Sequence, residues 1–228
     1  GKDTPVWEIG PGLGAMTDGI LSRGASLTAF EIDRGFCAVL REIFFDRPGF
    51  TLIEGDVLKN WKKAIADSGV PSRLFGNLPY NIAAAIIGDL ISDAVRFDAV
   101  VITVQKEVAL RMAAKPGTED YSSFSVLCQW AYTVTPLMDL AAGSFWPRPN
   151  VTSRAVKMTK REEWPRCDSP EIFMSLLRGL FSSRRKMIRN NFTAWLSTQA
   201  NAMREGVDDS LAARLLEESR IDPKRAPK

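Results

Sequence analysis

Short β-rich segments alternate with helical patterns through the first two thirds of this 228-residue chain. The pattern predicts five strands, at residues 6–9, 26–32, 50–54, 73–76 and 97–104. It predicts helices between or after them, at residues 14–23, 36–45, 82–92, 107–114 and 124–130. Such alternation is typical of βαβ units, and therefore of a mostly parallel sheet with helices on both faces.

The β signal ends near residue 160. Two further strand-like segments, 132–140 and 153–158, precede this point, and only helical patterns follow it. We therefore expect two domains: residues 1–160 form a large α/β domain, and residues 161–228 form a small all-helical one. The length of the chain suits one large domain with such an appendage.

The chain contains no histidine, which excludes Ser-His-Asp catalysis, Cys-His catalysis and histidine-based metal centres. Its three cysteines, Cys37, Cys128 and Cys167, are far apart and show no Cys-x-x-Cys spacing. We expect free thiols in a reducing cytosol and no metal site. No apolar run approaches the about 18 residues of a membrane-spanning helix, and no secretory signal opens the chain, so we expect a cytoplasmic protein.

A glycine-rich segment, Glu-Ile-Gly-Pro-Gly-Leu-Gly from Glu8 to Gly14, connects the first predicted strand to the first helix. Gly10 and Gly12 let the backbone turn sharply and approach a ligand closely at a helix N-terminus. Glu31 ends the second strand about 20 residues further on, where a carboxylate can bind both ribose hydroxyls of a nucleotide. These features alone fit a nicotinamide dehydrogenase nearly as well as a methyltransferase.

Two acidic residues favour S-adenosylmethionine as the cofactor. Glu8 precedes Gly10 by two residues, which suits contact with the methionine portion. Asp56 follows the third strand, where it can accept a hydrogen bond from the adenine amino group. The competing interpretations are that Glu8 is a solvated carboxylate and that Asp56 is a helix N-cap. The correct order of all four features makes coincidence the weaker explanation.

The segment Asn77-Leu78-Pro79-Tyr80 follows the fourth predicted strand and indicates methylation of an exocyclic adenine amine. Oxygens of the Asn77 carboxamide and the Leu78 backbone can accept hydrogen bonds from the two N–H groups, and this aims the nitrogen lone pair at a methyl donor. Pro79 stiffens the turn, and Tyr80 can stack on a flipped base. The alternative is an ordinary β-turn, which its position after the strand disfavours.

Aromatic residues of the proline-rich connection at residues 144–150 are candidates for the other face of the base. Phe145 is one such candidate, and Trp146 competes with it for the same role. A loop aromatic packed under prolines is an equally good interpretation of Phe145 from the residues alone.

The net charge of +3 is unevenly distributed. No Asp or Glu occurs between Glu171 and Glu205, whereas this interval contains Arg178, Arg184, Arg185, Lys186, Arg189 and Arg204. A basic stripe of this kind permits a phosphate-rich partner, although a solvated face is the alternative.

With these residues in place, the chain resembles the ribosomal RNA adenine N6-dimethyltransferases, which include the bacterial KsgA enzymes and the related erythromycin-resistance methylases. The matching segments span nearly the whole chain in family order; they are residues 8–14, 31–33, 55–56, 76–82, 104–108, 144–151 and 181–187. The Asn-Leu-Pro-Tyr-Asn-Ile and Arg-Arg-Lys segments are more similar to the KsgA branch.

The resemblance implies a Rossmann-like class I S-adenosyl-L-methionine methyltransferase fold, a mostly parallel sheet with a small C-terminal all-helical domain. It also implies a role for each matched residue. The cofactor would be bound by Glu8, Gly10, Gly12, Glu31, Ile32, Asp56, Val57 and Asn77. Asn77, Leu78, Pro79, Tyr80 and Phe145 would surround the target base. Arg148 and a basic helix containing Arg184, Arg185, Lys186 and Arg189 would contact RNA phosphates, which adds affinity rather than base choice.

The implied reaction is dimethylation of two adjacent adenines in the 3′-terminal hairpin of 16S ribosomal RNA within the 30S subunit. A role in small-subunit assembly is implied as well, and we expect a monomer. Compared with the family pattern, we expect the chain to lack an N-terminal segment with a Gln-Asn-Phe-Leu-like motif and the last helix.

Two other classes of function stay open. A DNA adenine methylase more often carries Asp or Asn before Pro-Pro at the position of residues 77–79, and a dehydrogenase leaves residues 77–80 and the basic segment unexplained. An RNA-binding assembly factor without catalytic activity is the other alternative. The presence of the predicted site residues Glu31, Asp56 and Asn77 disfavours it.

Overall fold

The computed structural model describes residues 3–78, 82–145, 148, 150–163, 167, 169–203 and 209–224. The described residues form one sheet of seven strands, in the order β3-β2-β1-β4-β5-β7-β6. These strands are β1 (Pro5–Ile9), β2 (Ser26–Glu31), β3 (Phe50–Glu54), β4 (Arg73–Asn77), β5 (Ala99–Gln105), β6 (Tyr132–Leu140) and β7 (Ser153–Lys160).

Strands β1 to β5 all run parallel, whereas β7 pairs antiparallel with both β5 and β6. The predicted α/β fold with a mostly parallel sheet is confirmed. Because the five parallel strands share one direction, their carboxyl ends lie at one edge of the sheet. β1 pairs with β2 on one side and with β4 on the other, so the strand order reverses there, where ligands of open α/β sheets usually bind.

The described helices are α1 (Ala15–Leu21), α2 (Arg34–Ile43), α3 (Val57–Ser68), α4 (Ala83–Ser92), α5 (Lys106–Ala113), α6 (Ser123–Ala131), α7 (Pro170–Leu180), α8 (Ile188–Met203) and α9 (Asp209–Glu218). The sequence patterns did not predict α3. Its signal is the helical spacing of three buried residues, Val57, Trp61 and Ala64, after an Asp at the N-cap.

The sheet is stabilised by a nearly continuous apolar strand at its centre. In β1, Val6, Trp7 and Ile9 are all buried, as expected for a parallel strand covered on both faces. The Trp7 ring meets Phe30 of β2 edge-on, with ring centroids 4.8 Å apart, and lies 5.8 Å from the ring of Phe97.

The chain divides into two compact units, one of Gly1–Ala113 with Leu127–Trp164 and one of Ala114–Val126 with Pro165–Lys228. The division into domains at residues 1–160 and 161–228 stays a prediction.

In the second unit, α7 and α8 pack closely because Gly179 leaves room for Trp195, whose atoms would lie 2.7 Å from any Cβ at that position. The Trp195 indole also donates to the Ser175 hydroxyl at 2.9 Å. Across the described ranges, no helix is both long and apolar enough to cross a membrane.

Candidate active site

Four predicted site residues lie where parallel strands end. Gly10 follows β1, Glu31 ends β2, Asp56 lies two residues after β3, and Asn77 ends β4. Since these strands are neighbours in one sheet, the structure brings the four residues to one edge. The candidate site is therefore assembled from segments that are far apart in sequence.

The glycine loop contacts the end of β4. Gly10 has φ +70°, and a Cβ at this position would lie only 2.9 Å from the Asn77 carbonyl oxygen. Its amide donates to the Phe30 carbonyl at 3.0 Å, so the loop is held between β2 and β4. Gly12 also has a positive φ, of +57°, but a Cβ there would meet nothing within 4 Å.

Glu31 is buried, and backbone amides surround its carboxylate. One oxygen accepts from the Gly12 amide at 3.1 Å, and the other accepts from the Ile32 and Asp33 amides at 2.9 Å each. The carboxylate is thus held against the glycine loop, at the position predicted for a ribose-binding group. The Ile32 side chain beside it is 64% exposed.

Glu8 is fully buried in β1, and only one of its carboxylate oxygens is bonded. Oε2 accepts a 2.7 Å hydrogen bond from the hydroxyl of Thr17 in α1, whereas Oε1 has no partner among the described residues. Burial raises the pKa of Glu8 to about 7, the Thr17 bond opposes this rise, and the charge of Glu31 adds to it. The interpretation of Glu8 as a solvated carboxylate is therefore wrong. Thr17 itself has no sequence signal, because nine residues separate it from Glu8.

Asp56 is half-buried and caps α3: its Oδ1 accepts from the Leu58 amide at 2.9 Å. The Asn60 side chain donates to the Asp56 carbonyl at 2.8 Å and so holds the same turn. Val57 is buried beneath it. The cap uses Oδ1 of the carboxylate, which has a second oxygen. Asp56 can therefore cap the helix and also accept a hydrogen bond from an adenine amino group.

Asn77 is exposed at the end of β4, whereas the Leu78 side chain is buried. The Leu78 amide donates to the Thr103 carbonyl of β5 at 3.1 Å, so the backbone directly after β4 is fixed. Pro79 and Tyr80 lie outside the described residues, and their roles stay predictions.

The other predicted base-binding aromatic, Phe145, is half-buried directly after a short 3₁₀ turn at Ala142–Ser144. Its amide donates to the Ala142 carbonyl at 3.3 Å. Arg148 is exposed, and Trp146 lies outside the described residues.

The predicted basic helix, which contains Arg184, Arg185, Lys186 and Arg189, is a turn followed by a helix. The prediction of a helix is wrong for Arg184, Arg185 and Lys186. Residues 181–186 form turns between α7 and α8, and only Arg189 is helical. The turn is held by the buried Asn191, which donates to the carbonyls of Leu180 and Ser183 at 2.9 and 3.0 Å. Arg184 donates to the Glu119 carbonyl at 2.7 Å.

All four predicted RNA-binding residues of this segment, Arg184, Arg185, Lys186 and Arg189, are exposed. Arg204 lies outside the described residues. Within the described part of the chain, no cluster of three or more His, Cys, Asp or Glu side chains is arranged to hold a metal ion.

Comparison with known proteins identifies the family. The chain matches the family described as "Ribosomal RNA adenine dimethylase" over residues 1–221. A relative from Treponema denticola, named "Ribosomal RNA small subunit methyltransferase A", is 47% identical over 199 residues, which are 86% of this chain and 68% of the relative. The chain thus spans about two thirds of that relative's length.

Two solved structures share the fold over 98% of this chain. A dimethyladenosine transferase from Plasmodium falciparum is 25% identical, with a TM-score of 0.76 and 85% of its chain covered. The 23S rRNA methyltransferase ErmE is 21% identical, with a TM-score of 0.64 and 84% of its chain covered. These matches confirm the Rossmann-like methyltransferase fold and the resemblance seen in the motifs: the chain belongs to the ribosomal RNA adenine dimethylase family.

Proposed function

We propose that this enzyme uses S-adenosyl-L-methionine to dimethylate the exocyclic N6 of two adjacent adenines in the 3′-terminal hairpin of 16S ribosomal RNA. The proposed substrate is the 30S subunit, and a role in small-subunit assembly accompanies the reaction. Family membership supports a ribosomal RNA substrate, and the name of the Treponema denticola relative supports the small subunit.

The observation that carries the proposal is the close approach of the glycine loop to the end of β4. A side chain at position 10 would clash with the Asn77 carbonyl oxygen, since a Cβ there would lie only 2.9 Å from it. A cofactor bound at the loop would therefore lie beside Asn77 and Leu78. This adjacency is what a transfer between cofactor and amine requires.

The residues at the sheet edge fit this cofactor. The unpartnered Oε1 of the buried Glu8 suits the ammonium group of its methionine portion, because a buried carboxylate oxygen normally has a donor. Glu31 and the exposed Ile32 suit the ribose and the adenine ring, and Asp56 with Val57 suits the far end of the ring. When bound, S-adenosylmethionine would supply an electrophilic methyl group.

Asn77 and Leu78 would orient the target amine. The Asn77 carboxamide oxygen and the Leu78 carbonyl oxygen would each accept one N–H of the amine, which directs the nitrogen lone pair away from the ring. The hydrogen bond from the Leu78 amide to the Thr103 carbonyl fixes the position of this backbone. Pro79 would stiffen the turn, and Tyr80 and Phe145 would stack on the flipped base.

The exposed basic residues would bind phosphates of the ribosomal RNA. We assign this role to Arg148, Arg184, Arg185, Lys186 and Arg189, which would supply affinity but not base choice. A ribosomal substrate also supports the predicted cytoplasmic location, and the protein is expected to act as a monomer.

The test is methyl transfer from radiolabelled S-adenosylmethionine to 30S subunits that lack these methyl groups, followed by digestion of the RNA and identification of its nucleosides. We expect label in N6,N6-dimethyladenosine from the 3′-terminal hairpin. Asn77→Ala should abolish the label while leaving 30S binding and cooperative unfolding unchanged. Binding of 30S without any label from the unsubstituted protein would instead favour an assembly factor without activity.

A further inference from the structure

One of the segments that match the family pattern, residues 104–108, has no role in the proposed reaction. It covers the junction where β5 ends at Gln105 and α5 begins at Lys106. The Lys106 amide donates to the Thr152 carbonyl at 3.0 Å, so this junction is tied to the backbone just before β7. The Lys106 side chain therefore starts from a fixed backbone at the carboxyl edge of the sheet.

Lys106 and Arg154 share one carboxylate. The Lys106 ammonium lies 2.8 Å from Oδ2 of Asp139, and Nε of Arg154 donates to Oδ1 of the same residue. Asp139 lies directly opposite Arg154 in the β6–β7 pairing, just after a register shift between Pro136 and Asp139. Irregularities of this kind re-aim side chains at a sheet edge, and here Asp139 meets both cations.

The cluster of Lys106, Asp139 and Arg154 carries an excess positive charge. Hydrogen bonds from Arg154 and from Lys106 hold the pKa of Asp139 well below its usual range, so its carboxylate stays charged. Among the described residues neither cation is paired with a second carboxylate. The Lys106 side chain is 44% exposed and the Arg154 side chain 20%, so Lys106 is open to a solution anion and Arg154 is partly accessible to it.

The cluster lies close to the proposed target base. Asn77 is paired with Thr103 on the neighbouring strand, and Lys106 follows Thr103 by three residues. At about 3.3 Å per residue and about 4.8 Å between strands, Lys106 lies on the order of 10 Å from Asn77. Lys106 and Asn77 therefore lie at the same edge of the sheet, at the ends of neighbouring strands.

We infer that Lys106 and Arg154, held side by side by Asp139, form a phosphate-binding site for the RNA strand next to the flipped adenine. The inference rests on the proposed function and adds a substrate contact to it. A guanidinium and an ammonium are the side chains that bind phosphate best, one through a planar fork and the other as a point charge. Asp139 keeps them in place in the free enzyme, which lowers the entropy lost on binding.

The test compares binding of 30S subunits over a range of KCl concentrations for Lys106→Gln, Arg154→Gln and a matched control, Lys160→Gln. Lys160 lies at the opposite end of β7, where its ammonium is 3.4 Å from Asp98. All three variants therefore lose one cation of an ion pair. Arg154→Lys serves as the conservative variant, because it keeps the charge.

Each of Lys106→Gln and Arg154→Gln should weaken 30S binding several-fold and reduce the slope of log K against log salt by about 0.7–0.9, the value for one lost phosphate contact. The KM for 30S should rise while that for S-adenosylmethionine stays the same. Lys160→Gln should match the unsubstituted protein, and Arg154→Lys should keep most of the slope.

Unchanged slopes for Lys106→Gln and Arg154→Gln would overturn the inference, as would an equal loss in Lys160→Gln, since net charge alone would then explain the effect. The proposed function is tested separately by methyl transfer in the unsubstituted protein. If that protein binds 30S but transfers no methyl group, the proposed function fails while the slopes still decide the phosphate site.

Discussion

The Thr17 hydroxyl donates a 2.7 Å hydrogen bond to Oε2 of Glu8, and both side chains are fully buried. The bond satisfies one carboxylate oxygen and leaves Oε1 without a partner among the described residues. A buried carboxylate with an unsatisfied oxygen is costly to keep charged, and its pKa is raised to about 7. The charge of Glu8 should therefore depend on pH near neutrality.

The first prediction concerns stability against pH in Glu8→Gln. Because the folded-state pKa of Glu8 is raised from 4.5 to about 7, its contribution is complete below about pH 4.5 and is lost as pH rises through about 7. At about 1.4 kcal/mol per pKa unit, the full effect is about 3 kcal/mol. Urea unfolding should show Glu8→Gln gaining stability relative to the unsubstituted protein as pH rises across this window. A difference that stays constant with pH would contradict the assignment.

The second prediction concerns Thr17→Val, which keeps the shape of the side chain and removes its hydroxyl. Both oxygens of Glu8 would then be unsatisfied, so we expect a loss of about 1–3 kcal/mol in the free energy of unfolding at neutral pH. The pKa of Glu8 should rise further, since the Thr17 bond lowers it. Thr17→Ser, which can restore the bond, should return both the stability and the pH profile toward normal.

The third prediction separates two glycines of the same loop. Gly12→Ala should cost only the roughly 1–2 kcal/mol of a left-handed backbone, since a Cβ there meets nothing within 4 Å. Gly10→Ala has the same strain and also places a Cβ 2.9 Å from the Asn77 carbonyl oxygen. Urea unfolding should therefore show a larger loss for Gly10→Ala, and methyl transfer should fall because Asn77 is displaced. Equal losses of stability in the two variants would argue against this contact.

The fourth prediction concerns the basic turn at residues 181–186. Asn191→Ala removes the two side-chain bonds that hold this turn and should cost about 1–3 kcal/mol of stability. It should weaken 30S binding without changing the salt slope, because no charge is lost. Arg185→Ala should instead lower the slope by about 0.7–0.9 with little change in stability. Asn190→Ala, at the exposed neighbouring position, is the matched control and should change neither property.

Much of this fold could be predicted from local patterns. The strands at residues 50–54 and 132–140 have the predicted bounds, because alternation and β-branched residues mark them clearly. Helix α3 was missed although its apolar spacing was present in the sequence. The segment containing Arg184, Arg185, Lys186 and Arg189 was predicted to be helical, but residues 181–186 form turns that the side chain of Asn191 stabilises through two hydrogen bonds.

The sequence by itself determined most of the strands, the motifs with their order along the chain, and the family, since strands and motifs are each marked by residues that are close together in sequence. Only the tertiary structure decided that Glu8 is buried against Thr17, that Gly10 approaches Asn77, and that Lys106 and Arg154 share Asp139. These contacts depend on the strand order β3-β2-β1-β4-β5-β7-β6 and on one register shift in β6. Local propensity does not encode either feature, because both arise from packing between segments that are distant in sequence.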